Sequence, residues 1–293
     1  MSDTRRLTLP DLAAMAHEGR RIAMITAYDA PSARLADTAG IDIVLIGDSA
    51  AMAVLGHEST LPITMDEMLM LTRAVRRSVR RAFVVADLPF GAYQPGEDEA
   101  VRNAIRFIKD GGADAVKLEG AGRTLTRIGA IVDAGIPVMG HAGLTPQSAS
   151  LAGGYRARGR TAAEARRIFD EARALERAGC FAIVLEAMRA PVAAHITSAL
   201  QIPTIGIGAG PSCDGQVLVW HDLLGLTSGH VPRFVRQYAD LNATIGHALH
   251  RYVADVKAAT FPDESHTYAM PADELARFEA LIAEARRTAV PKT

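Results

Sequence analysis

Five short apolar runs in this chain each end in one ionisable side chain. Ile41 to Gly47 leads into Asp48 and Ser49, Ala82 to Ala86 into Asp87, Ala115 to Leu118 into Glu119, Ile136 to Gly140 into His141, and Ala182 to Leu185 into Glu186. Such runs have the pattern of buried parallel strands. In α/β folds the carboxyl ends of parallel strands are where ligands bind, so these endings are expected to converge in space. Asp48, Asp87 and Glu119 would then sit on successive strand ends about 4.8 Å apart and repel one another. A hard divalent cation relieves that repulsion, and Mg2+, which keeps water or substrate oxygens in its octahedral shell, suits an all-carboxylate site. The competing reading makes each acid the cap of the helix that follows it.

Lys117 lies two residues before Glu119, so strand alternation points both side chains into the same interior. An inward lysine beside acids needs a charge partner, either a substrate carboxylate or simply Asp87 or Glu119. His141 could donate to a substrate oxygen, or be a structural histidine lifted from that role only by its strand-end position. Glu186, set among Ile183, Val184 and Leu185, suits a general base for a carbon acid, with a fourth metal ligand as the other reading. Together the groups compose a mechanism. A 2-oxo acid bound through the cation would lose a proton from its adjacent carbon to Glu186, and the enolate would attack a one-carbon electrophile or arise by C–C cleavage.

The elements that must position these groups fit a single (β/α)8 TIM barrel, which takes about 250 residues of the 293 present. A barrel core is expected over about 21–225, with a short N-terminal helix before it and a C-terminal helical extension over about 232–293. Thr8-Leu-Pro-Asp11 opens the first helix with a hydroxyl cap, an early proline and an acid. Residues 50–62 form a connection longer than the usual 2 to 6 or so, a candidate lid. The eighth strand, Gln216 to Val219, is the least regular. Arg73, Arg76, Arg77, Arg80 and Arg81 read as a solvated helix face rather than a phosphate site. The run Gly206-Ile-Gly-Ala-Gly210 carries Pro211 where a dinucleotide loop needs its third glycine, so close backbone packing is the expectation there. Leu275, Phe278, Leu281 and Ile282 make an apolar stripe near the C-terminus.

Hydrophobic residues are 49% of the chain, charged residues 22%, and the formal net charge is -1, which argues against a nucleic-acid or anionic-membrane binder. Cys180 and Cys213 are the two cysteines, too few for a disulfide framework or a cysteine zinc site. With no secretory pattern at the N-terminus, a cytoplasmic protein acting on small molecules is expected.

Read as words, the motifs resemble the ketopantoate hydroxymethyltransferase family over nearly the whole chain. They are Ile25-Thr-Ala-Tyr-Asp29, Gly47-Asp-Ser49, Ser59-Thr-Leu-Pro62, Ala86-Asp-Leu-Pro-Phe90, Val116-Lys-Leu-Glu-Gly120, Gly140-His-Ala-Gly-Leu-Thr-Pro-Gln147, Gly153-Gly-Tyr155 and Ile205-Gly-Ile-Gly-Ala-Gly210, extended by Asp214-Gly-Gln216 and His221-Asp222. The resemblance implies a Mg2+-dependent barrel enzyme that moves a hydroxymethyl group from 5,10-methylenetetrahydrofolate to 3-methyl-2-oxobutanoate, toward pantothenate and coenzyme A. It also implies a homodecamer. Carried over, Asp48, Asp87 and Glu119 are the metal site, and Asp48, Ser49, Asp87, Lys117 and His141 are substrate contacts. Glu186 is the proton acceptor. Arg156, Arg158 and Arg160 are candidates for holding folate carboxylates. The chain departs from the family after the base, where Arg189 stands in place of proline, and in its tail, where Ser265-His-Thr replaces a His-Ser ending. A C–C lyase of the isocitrate lyase and phosphoenolpyruvate mutase type shares the same enolate logic, and the chain lacks that group's reactive-cysteine motif. A non-catalytic ligand-binding barrel would leave the acid–base set without a purpose.

Overall fold

β-branched runs bounded by glycine pair as parallel strands when helices cover both ends of each crossover. A computed structural model of the chain, describing residues 5–148, 156–227, 229 and 231–288, shows eight such strands. They are β1 (Ile22–Thr26), β2 (Ile43–Ile46), β3 (Phe83–Asp87), β4 (Ala115–Lys117), β5 (Val138–Gly143), β6 (Ala182–Glu186), β7 (Thr204–Ile207) and β8 (Gly215–Leu218). Each pairs in parallel with the next, and β8 returns to β1 through Ile22 opposite Gly215, closing the barrel. The irregular segment before Pro232 thus does supply the closing strand.

Alternation along the strands sorts side chains into two cores. Met24, Ile43, Leu45, Phe83, Val85, Met139, Val184 and Val217 fill the interior, while Val44, Ile46, Val84, Ala86, Val116 and Ile183 face the surrounding helices. Helix α1 (Leu9–His17) adds Leu12 and Met15 to the interior core. The barrel's amino end is therefore stoppered by apolar side chains, and the carboxyl end is left for polar ones.

The crossover helices are α2 (Ala30–Thr38), α3 (Ala50–Ala53), α4 (Met65–Arg76), α5 (Glu97–Ile105), α6 (Thr124–Asp133), α7 (Ala162–Arg177) and α8 (Ala190–Ala199), with the short α9 (Trp220–Leu223) after β8. Residues 50–62, expected as an irregular loop, begin with the turns of α3. Helix α5 widens into a π-helical segment (Arg106–Gly111) rather than running on as α-helix. There Gly111 lies so close to α4 that a Cβ would come within 2.9 Å of Thr72. The arginines of α4 and its exit serve the scaffold: Arg73 donates to the Asp110 carbonyl at 2.9 Å, and Arg81 pairs with Asp42 at 3.1 Å. The glycine run after β7 is a packing device. A Cβ at Gly208 would fall 2.7 Å from the Phe234 ring, and one at Gly210 would fall 2.6 Å from Ala190.

The chain divides into two units, Met1–Asp240 and Leu241–Thr293. The second holds α10 (Leu241–Lys257) and α11 (Ala272–Thr288), and within it the Phe261 ring packs edge-on against both Tyr252 and His266. Among the described residues no helix is long and apolar enough to cross a membrane.

Gly143, at the end of β5, has φ +99, and a Cβ there would run into the Glu186 carbonyl oxygen. That oxygen accepts the Leu144 N–H at 3.0 Å. Gly143→Ala is expected to cost about 1 to 3 kcal/mol from the left-handed backbone and the collision, measured by denaturant unfolding.

Candidate active site

On four strands the interior-facing column continues past its apolar residues into polar ones. Asp87 follows Phe83 and Val85 on β3, Lys117 follows Ala115 on β4 with Glu119 next in the column, His141 follows Met139 on β5, and Glu186 follows Val184 on β6. Register then sets neighbours side by side, with Asp87 opposite Lys117. Glu119 lies two residues past β4, yet Leu118 and Gly120 still donate to the Met139 and His141 carbonyls at 3.2 and 2.9 Å, so its side chain keeps the inward direction. Asp48 and Ser49 enter from the turn after β2. All seven residues singled out in the sequence line one cavity of about 180 Å³ at the carboxyl end of the barrel, beside Thr60, Val184, Ile207 and Val217. A larger cleft of about 720 Å³ runs outside β1 and β8 and contains no comparable acid–base set.

The contacts within the cavity are specific. Lys117 Nζ donates to Asp87 Oδ1 at 2.5 Å. His141 places Nδ1 3.6 Å from Glu119 Oε1 and Nε2 3.3 Å from Glu186 Oε2, so the ring stands between two carboxylates. Neither of its nitrogens makes an aligned hydrogen bond, although both are buried. Buried polar atoms are normally satisfied; here both nitrogens face carboxylates at distances longer than an aligned hydrogen bond. Thr60 Oγ1 is buried and unpartnered in the same way. Ser49 Oγ shares a hydrogen bond of 2.9 Å with Tyr28 Oη.

Burial, followed by the charge of Asp87, pushes the Asp48 carboxyl up to about 7. Burial and the charge of Asp48 hold Glu119 well above the usual carboxylate range. Burial alone would pull Lys117 down, but Asp87, Glu119 and Asp48 outweigh it and keep the ammonium charged. One cation thus faces several mutually repelling acids, a field that accepts further positive charge. Among the described residues, no three His, Cys, Asp or Glu side chains form a ready-made ligand cage. Magnesium commonly binds through one or two carboxylates and fills its shell with water and substrate oxygens. Asp48 Oδ1 and Glu119 Oε1 accept no hydrogen bond from a described residue, because donors from Gln147 occupy Oδ2 and Oε2. The donor set therefore fits a hard dication.

The family model for ketopantoate hydroxymethyltransferase matches residues 6–264. The chain belongs to this family. It is 56% identical over 268 residues to the 3-methyl-2-oxobutanoate hydroxymethyltransferase of Moorella thermoacetica, spanning 92% of this chain and 100% of that protein. It is 54% identical over 268 residues to the same-named protein of Thermobifida fusca, spanning 92% and 95%. Among solved structures it is similar in fold to 2,3-dimethylmalate lyase, with TM-score 0.58 and 18% identity over 95% of this chain and 98% of that one. A phosphoenolpyruvate phosphomutase from Streptomyces platensis gives TM-score 0.58 and 17% identity over 97% and 100%.

The turn after Glu186 leads into α8 through Arg189, which caps that helix with a proline-like φ of -64. Its N–H donates to the Arg158 carbonyl at 3.1 Å, a bond proline could not make. Ala187 sits in the left-handed region at φ 44, and its carbonyl accepts the Arg158 N–H at 2.8 Å. These two bonds stitch the segment carrying Arg158 to the residues just beyond Glu186. The Gly153-Gly-Tyr155 word lies outside the described residues.

Two residues hydrogen-bonded behind the acids escaped the reading by residue type. Gln147 and Tyr93 carry no charge and end no strand, yet Tyr93 Oη donates to Gln147 Oε1 at 2.6 Å beneath the acids. The signal available was the word ending in Gln147, which marked the position without a role.

Replacing Lys117 by Met leaves Asp87 buried beside the other acids without its cation, and is expected to cost about 3 to 5 kcal/mol in unfolding free energy. The raised Asp48 carboxyl also sets a pH dependence. It binds its proton up to about 7 in the folded chain against 3.8 for the free group, so metal-free stability falls as pH rises through that window. Calorimetric scans without metal should show this fall, with a shallower one in Asp48→Asn. A divalent cation should raise the midpoint more at the alkaline end.

Proposed function

We propose that the protein transfers a hydroxymethyl group from 5,10-methylenetetrahydrofolate to 3-methyl-2-oxobutanoate, giving 2-dehydropantoate for pantothenate and coenzyme A synthesis. The observation that carries this reading is the convergence of Asp48, Ser49, Asp87, Lys117, Glu119, His141 and Glu186 on one cavity in a chain of this family. The cavity of about 180 Å³ matches a small 2-oxo acid rather than a folate, so the one-carbon donor would approach from the open mouth.

Asp48, Asp87 and Glu119 would hold Mg2+, which when bound supplies Lewis acidity to the carboxylate and carbonyl oxygens of the oxo acid. Glu186 accepts the proton from C3 of 3-methyl-2-oxobutanoate. His141, 3.3 Å from Glu186, is placed to donate to a substrate oxygen and to steady that carboxylate. Ser49, oriented by Tyr28, hydrogen-bonds the substrate carboxylate. Lys117 adds positive charge on the same side and pairs with Asp87. Val184, Ile207 and Val217 form the apolar wall for the isopropyl group and exclude water from the carbanion. Electrons from the C3–H bond then form the new C–C bond to the transferred carbon as its bonds to the folate nitrogens break; one water supplies the hydroxyl oxygen, its remaining proton and the one taken from C3 end on those nitrogens, and the donor leaves as tetrahydrofolate. Two buried free cysteines suit a reducing cytoplasm, and the homodecamer of the family is the assembly to look for by sedimentation.

Glu186→Gln should abolish deuterium exchange at C3 of 3-methyl-2-oxobutanoate while leaving substrate binding within a few-fold. Exchange at the wild-type rate would refute the assigned base. Product formation by wild type should require the oxo acid, the folate and a divalent cation together.

A further inference from the structure

Gln147 is neither charged nor at a strand end, but it holds more of the acid cluster than any charged side chain there. It sits in a short 3-10 turn (Pro146–Ser148) beyond β5 and is buried. Its backbone N–H donates to Glu119 Oε2 at 2.9 Å, and its side-chain Nε2 donates to Asp48 Oδ2 at 2.9 Å and to the Leu88 carbonyl at 3.0 Å. Its Oε1 accepts from Tyr93 Oη at 2.6 Å. The amide cannot be turned over without loss. The Leu88 carbonyl can only accept, so it must face the nitrogen. Burial and the charge of Glu119 keep the Tyr93 phenol protonated, so it presents a donor to the oxygen.

We propose that Gln147, locked by Tyr93, is the positioning residue that sets Asp48 and Glu119 for a divalent cation. This rests on the metal-dependent reading above. One residue thereby ties together carboxylates 99 and 28 positions away in sequence. It occupies one oxygen of each and leaves the other without a hydrogen bond from a described residue. Carboxylates that ligate metals are themselves oriented by such outer hydrogen bonds, and removing one typically costs about 10- to 100-fold in metal affinity. Tyr93 acts only through Gln147.

The test is Mn2+ binding to the full-length protein, followed by electron paramagnetic resonance, with thermal unfolding in parallel. Gln147→Met keeps the side-chain length and the backbone bond to Glu119 but removes both Nε2 bonds. It is expected to weaken Mn2+ binding about 10-fold or more. At saturating metal much of kcat should return, a split that a merely unfolded variant would not show. Tyr93→Phe should weaken binding less and in the same direction, and the double variant should bind no worse than Gln147→Met, because the two residues form one unit. Mn2+ affinity within twofold of wild type in folded Gln147→Met would overturn the proposal. If that variant does not fold, unchanged affinity in Tyr93→Phe overturns it. If wild type takes up no Mn2+ yet forms product without metal, the metal reading fails and takes this proposal with it. If wild type binds, Asp48→Asn does not and Gln147→Met does, the clamp alone fails.

Discussion

Mutual repulsion among carboxylates buried at one rim of a barrel is the constraint that organises this protein. Asp48, Asp87, Glu119 and Glu186 face a cavity of about 180 Å³, where water is too scarce to screen them. Left alone, such a cluster would take up protons or unfold the rim. The chain answers with Lys117 against Asp87, with hydrogen bonds from Gln147 to Asp48 and Glu119, and with the His141 ring between Glu119 and Glu186. These measures orient the acids without neutralising them all. The remaining negative field is the electrostatic basis of the proposed cation site.

The rest of the scaffold keeps that rim in place. Leu12 and Met15 of α1 close the opposite end of the barrel, so the polar opening lies at the carboxyl ends alone. The β5–β6 edge is held tightly, since Gly143 approaches the Glu186 backbone more closely than any side chain would allow. Just beyond Glu186, the left-handed Ala187 and the bonds between Arg158 and residues 187–189 turn the chain away sharply. Strain at such a point persists only where the surroundings over-determine it, and here three strands and a loop do so.

Membership of the hydroxymethyltransferase family and the fold shared with lyases and mutases describe two different levels of the same molecule. The barrel with acids at its carboxyl ends is common architecture, and similarity of fold at 18% identity carries no chemistry with it. What separates one activity from another is the inventory around the cavity, here Glu186 on β6, His141 on β5, and the apolar walls of Val184, Ile207 and Val217.

Much of this was legible in the sequence. Period-two alternation forces residues 83, 85 and 87, or 115, 117 and 119, onto one side of a strand. A run of apolar residues ending in one acid therefore announces both the strand and the direction of the acid. Local pattern also marked the capped helices and the glycine-packed turn after β7. It could not show which acids share a hydrogen-bond donor, that His141 would stand between Glu119 and Glu186, or that α5 would loosen where Gly111 meets α4. Those outcomes depend on barrel closure, which brings residues far apart in the chain within hydrogen-bonding distance. Gln147 is the clearest case. Its neutral amide has no meaning in sequence, and acquires one only where the tertiary structure leaves two buried carboxylates in need of donors.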